Sequence, residues 1–128
     1  MLTSPALTDA AKLVGRILLA LMFVLGGYSK IGGYAGTQGY MAAQGVPGIL
    51  LPAVILLELV GGLMIVVGFK TRLVALALFG FTIVASLLFH MNWAAPMQQM
   101  IFMKNLAVAG GFLVLFAAGA GRWSLDRA

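Results

Sequence analysis

The chain has 128 residues, 62% hydrophobic and 9% charged, with a mean hydropathy of +1.09, a balance that excludes an ordinary soluble domain. A membrane span needs roughly 20 apolar residues, so this length holds about four spans with short connections. The absence of cysteine excludes disulfides, thiolate metal sites and iron–sulfur clusters, and the single histidine excludes bis-histidine haem within one chain; the net charge of +5 is scattered beside apolar runs, as topology signals are, and does not describe a nucleic-acid surface.

Four apolar runs predict an all-α integral membrane four-helix bundle: a single transmembrane domain over residues 1–128, with spans at about 11–29, 48–68, 73–89 and 97–120. In the first span, Arg16, Ala20, Phe23, Gly27 and Lys30 recur in steps of four and three and so share one helix face. Lys12 and Arg16 ahead of an apolar core resemble a signal peptide, yet Gly26-Gly27-Tyr28-Ser29-Lys30 contains no convincing cleavage site, and the span is expected to stay. The glycine-rich connection from Ile31 to Pro47 has two readings, a short helix or re-entrant cap over one mouth of the bundle, or a surface loop.

The second span contains "VILLELVGGL", with Glu58 near its centre. A charge at that depth costs roughly 2.5–3.5 kcal/mol, so it is expected to face protein, together with Gly61 and Gly62 on the same helix face. Gly68 closes this helix, Thr71 caps the next, and the short "GFKTR" turn makes the two an antiparallel hairpin. The third span aligns Thr82, Ser86 and His90, and the fourth Lys104, Ala107 and Gly111. Turning these four polar-and-small faces inward gives a bundle with a polar interior and a leucine-rich exterior.

Lys12, Arg16, Lys70, Arg72, Arg122 and Arg127 fall at one end of such a bundle; Lys30, His90 and Lys104 lie toward the other. The excess of cations places both termini in the cytoplasm, with the polar core opening outward. Trp123 at one end, and Trp93, Tyr28, Tyr34 and Tyr40 at the other, suit the two interfacial belts.

Glu58 has two readings: a proton or ligand group, or one half of an ion pair with Lys104 or Arg16 that fixes helix register. In the first reading Glu58, His90 and Lys104 carry the chemistry, Asn105 adds a donor, Lys30, Tyr40 and Gln44 line the outer mouth, and Arg16 joins the binding residues from its place on the inward stripe. Thr82 and Ser86 are expected to bond back to their own helix. A competing reading takes His90, Met91, Met97, Met100 and Met103 as a soft site for Cu(I), against which methionines at 97, 100 and 103 drift around the helix; no other metal site is expected. A further alternative is a non-catalytic membrane partner or small-solute carrier.

Arg16, Phe23, Gly27 and Lys30, then "ELVGGLMIVVGFKTR", His90, "KNLAVAGG" from Lys104 and "GAGRWSLD" from Gly119 together resemble the DoxX family of small bacterial inner-membrane proteins. The resemblance spans nearly every element. It implies four membrane helices and, since some members serve as small subunits of thiosulfate:quinone oxidoreductase or of other membrane oxidoreductases, an accessory role beside a redox enzyme with quinone in the polar core. Haem and iron–sulfur clusters are not expected; the lipid bilayer, a redox partner and further copies of the chain are the partners in view.

Overall fold

The computed structural model describes residues 4–89, 94 and 96–127. Helix α1 spans Pro5–Gly32, α2 Tyr34–Ala43, α3 Leu51–Val67, α4 Thr71–Phe89 and α5 Pro96–Ala118, with a 3₁₀ turn at Gly48–Leu50 leading into α3. Among the described residues, α1, α4, α5 and α3 taken together with its 3₁₀ turn (Gly48–Val67) are long and apolar enough to cross a bilayer. Helix α1 begins ahead of its apolar run because Ser4 caps it, its hydroxyl accepting from Leu7 N–H at 3.1 Å, and Pro5 occupies the first turn. Its 28 residues reach about 42 Å, further than the hydrocarbon core, so its last turns stand in the interface. The connection that had two readings forms the short helix: α2 buries Met41, and Gln38 Nε2 donates to Gly48 O at 3.2 Å, tying α2 to the entry of α3.

The spans run alternately up and down, with α1 against α3, α3 against α4, α4 against α5, and α5 touching α1 along only a short stretch. Glycine sets the α1–α3 approach. A Cβ on Gly27 would stand 2.9 Å from the backbone nitrogen of Leu59, and one on Gly62 would stand 3.2 Å from that of Val24. In a bilayer, where apolar burial gives no preference for protein over lipid, such close backbone contact is what holds helices together. Ala20, Phe23, Ile65, Val74, Ala75, Leu78, Phe112 and Leu115 fill the core, while leucine and valine side chains cover the outside.

The inward stripes of three spans match expectation: Arg16, Ala20, Phe23 and Gly27; Glu58, Gly61 and Gly62; Thr82 and Ser86 are all buried. The fourth differs. Helix α5 buries Ala109, Phe112 and Leu115, leaving Ala107 and Lys104 exposed, because Phe112 must reach Phe23 across the bundle and so sets the rotation of the helix.

At the end bearing the termini, residues 119–127 lie across the α3–α4 turn and satisfy it. Gly68 adopts a left-handed φ of +72°, and Phe69 N–H reaches Met64 O at 2.9 Å, a Schellman closure. The carbonyls this leaves open are met from elsewhere. The buried Arg16 guanidinium donates to Ile65 O at 3.0 Å, to Val66 O at 2.7 Å and to Trp123 O; Leu125 N–H donates to Val67 O and Asp126 N–H to Gly68 O. Asp126 then accepts from Lys70 N–H at 2.8 Å and Thr71 N–H at 2.7 Å, so the cap of α4 is an aspartate from the tail, where the sequence had suggested Thr71. Burial alone would raise the Asp126 carboxyl, but the Thr71 and Lys70 N–H groups and the nearby Arg16 charge outweigh it and hold the carboxyl below its ordinary value.

Candidate functional site

At the opposite end of the bundle, under α2, lies a cavity of about 330 Å³. Its walls are mostly apolar: Phe23, Leu51, Val54, Phe81 and Phe89 contribute, and Phe23 meets Phe81 edge to face at 6.5 Å. Into this setting project Lys30, Glu58, Lys104 and Asn105, with Thr37 and Tyr40 of α2 above them. Tyr40 also stacks on Phe89 at 5.4 Å, which fixes α2 over the end of α4.

Lys30 Nζ stands 2.7 Å from Glu58 Oε1. The approach is oblique, a charge contact and not a straight hydrogen bond. The Glu58 side chain is 8% exposed and that of Lys30 31%, so the carboxylate is the buried partner and the ammonium the more exposed one. Local sequence makes the room. Gly26 presents bare backbone to the carboxylate, and a Cβ there would lie 3.4 Å from Glu58 Oε2; Gly27, one position on, brings the α3 backbone in close. The adjacent glycines thus seat Glu58 against α1.

Five of the eight residues expected at the site line the cavity: Lys30, Tyr40, Glu58, Lys104 and Asn105. Gln44 ends α2 exposed and apart from it, Arg16 is committed to carbonyls at the far end of the bundle, and His90 lies outside the described residues, as do Met91 and Trp93. The ion pair formed is neither of those the sequence suggested. Glu58 pairs with Lys30, because α1 continues past its apolar run and a lysine stem is long enough to reach back. Thr82 bonds back to Leu78 O at 2.7 Å, as expected, whereas the buried Ser86 hydroxyl has no partner among the described residues. Met97, Met100 and Met103 are well exposed on α5 and do not line the cavity. Sequence reasoning missed Phe81, Phe89 and Thr37; the aromatic positions carry a helical period with Ala85 and Thr82, but nothing in an apolar span marks them from lipid-facing neighbours.

An antiparallel bundle of four spans enclosing a charged pair in an apolar cavity defines a small multi-pass membrane protein with an intramembrane polar site. The chain belongs to the DoxX family, whose pattern matches residues 11–91. It is 53% identical over 121 residues to "Inner membrane protein YqjF" of Escherichia coli K12, covering 94% of this chain and 93% of that one, and 36% identical over 122 residues to "Inner membrane protein YphA" of the same organism, covering 90% and 87%. No solved structure matches. The protein is accordingly a multi-pass protein of the bacterial inner membrane.

Proposed function

We propose that the chain is the membrane subunit of a quinone-linked oxidoreductase system and holds a quinone headgroup, or a similar small molecule, in the cavity beneath α2. The observation that carries this reading is the Lys30–Glu58 pair, with Lys104 and Asn105, set in an otherwise apolar cavity of about 330 Å³. That volume lies within the range of small-molecule sites, and a few polar groups converging in apolar walls are how such sites orient a ligand. Lys104 and Asn105 supply N–H donors for ring carbonyls, the aromatic walls take the ring, and the Lys30–Glu58 pair exchanges protons with it. Bound quinone would supply the two-electron chemistry, with reducing equivalents from a partner enzyme. The cation excess at the termini orients the bundle with both termini cytoplasmic and the cavity toward the outer leaflet.

The test is Glu58→Gln, which keeps shape and hydrogen bonding but cannot ionise. It should insert and melt near wild type yet bind a short-tailed ubiquinone analogue at least tenfold more weakly and lose quinone-linked turnover of its complex. Lys30→Met should strand the carboxylate and destabilise the fold by roughly 3–5 kcal/mol, with recovery in the double variant. Wild-type quinone binding and turnover in Glu58→Gln would reduce the pair to a structural contact and defeat the proposal.

A further inference from the structure

The cavity has a side as well as a top. Helices α1 and α5 meet in the half of the bundle nearer the termini, where Phe23 packs edge to face on Phe112 at 5.3 Å and Leu19 lies against Gly111 so closely that a Cβ there would be 2.8 Å away. Around this contact, Met22 and Gly26 of α1 and Ile101 and Lys104 of α5 all line the cavity. Met22 is 38% exposed and Lys104 is exposed, so on this side the cavity lining reaches the outer surface of the bundle. The top is roofed by α2, with Met41 buried beneath it and Tyr40 stacked on Phe89.

Charge adds a second observation. Glu58 is taken by Lys30 at 2.7 Å, and among the described residues no carboxylate lies within ion-pair distance of Lys104. An unpaired ammonium beside a cleft in the hydrocarbon region is costly unless an oxygen-bearing group comes to it. We propose that the cavity is loaded from within the bilayer through the cleft between α1 and α5, and that its occupant is a lipid-dissolved amphiphile whose head brings an electron-rich oxygen to Lys104. The inference deepens the quinone reading by sharing its site, but it concerns the route and the amphiphilic class of the occupant, and a lipid head or a quinone ring meets Lys104 by the same chemistry.

The chain has no cysteine, so a single one reports cleanly. Ala85→Cys places a thiol in the cavity wall, and Val84→Cys places one on the lipid-facing side of the same helix as a reference. In vesicles, a long-chain alkyl maleimide should label Ala85→Cys at a rate within about threefold of the reference, while a charged, membrane-impermeant maleimide should label it at least tenfold more slowly than the alkyl reagent. Adding Met22→Trp to fill the cleft should slow alkyl labelling at position 85 at least tenfold and leave position 84 unchanged. Competition by a short-tailed ubiquinone analogue or by a phosphatidylglycerol-rich bilayer then tells which head occupies the site. Equal labelling by the charged reagent, no labelling by either, or indifference to Met22→Trp would each overturn the lateral route. Cleft-dependent labelling without competition by the quinone analogue would keep the route and defeat the quinone reading.

Discussion

Gly26 and Gly27 are adjacent, equally apolar and one hundred degrees apart on α1, and the fold predicts opposite outcomes when each is replaced by alanine. At Gly27 the new Cβ would stand 2.9 Å from Leu59 N, 3.0 Å from Leu59 Cβ and 3.2 Å from Leu59 Cα. Comfortable contact begins near about 3.5 Å, so α1 and α3 must separate by roughly 0.5 Å, and because the obstacle is helix backbone no rotamer change relieves it. Overpacking of this kind costs about 1–3 kcal/mol, while alanine regains up to about 1 kcal/mol of helix propensity over glycine, leaving a net loss of roughly 1–2 kcal/mol. At Gly26 the new Cβ meets only Glu58 Oε2 at 3.4 Å and Lys30 Nζ at 3.8 Å, the far ends of two flexible side chains, so propensity dominates and the variant should be neutral or slightly more stable. Thermal unfolding of both variants in one mild detergent, followed by loss of helical circular dichroism, measures the difference. A Gly27→Ala protein as stable as Gly26→Ala would refute glycine-mediated backbone contact as the basis of the α1–α3 pairing.

Three other outcomes are expected. Single cysteines at Lys70 or Arg127 should resist a membrane-impermeant thiol reagent in intact cells, while one at Gln38 or Ala94 reacts; the reverse pattern would invert the membrane orientation. Arg16→Met removes three charge-assisted hydrogen bonds and leaves α3 carbonyls unmet, a loss of about 3 kcal/mol or more in detergent unfolding, whereas Leu125→Ala, which keeps its backbone bond to Val67 O, should cost well under 1 kcal/mol. Asp126 has a folded carboxyl held below its unfolded value of about 3.9, so its contribution is fully present above that value and disappears as pH falls through the lower folded one. Asp126→Asn should therefore melt below wild type at pH 7, with the gap closing as the pH falls through the lowered folded value; a gap constant with pH would show that the carboxylate charge has no part in capping α4.

Periodicity revealed what periodicity governs. Hydropathy fixed the number of spans, and steps of three and four identified the buried faces of α1, α3 and α4, since exclusion of Arg16, Glu58 and the paired glycines from lipid leaves each helix one rotation. For α5 the same reasoning failed: Lys104, Ala107 and Gly111 are a polar-and-small set, but the large Phe112 decides which side points in, and a preference among packing partners is invisible within one helix. The pairing of Glu58 with Lys30 depended on the relative height of two helices, which is set where Gly27 meets Leu59 and Gly62 meets Val24, a contact between helices that no single span shows. The tail's capping of the α3–α4 turn joins residues more than fifty positions apart, beyond what local patterns encode.

That last contact also orders events in time. Thr71 leaves the ribosome 55 positions ahead of Asp126, and at translation rates of about 5–20 residues per second the α3–α4 hairpin must wait roughly 3–11 s in the membrane before its cap exists. During that interval the carbonyls of Val67 and Gly68 and the N–H groups of Lys70 and Thr71 look to interfacial water, and the hairpin's end can still shift. Arrival of Trp123, Leu125 and Asp126 replaces that water in one step and bolts the bundle after all four spans are in place. A nascent chain arrested short of Trp123 would thus be inserted but unlatched, a state that a membrane protease could tell from the finished protein by its frayed α3–α4 turn.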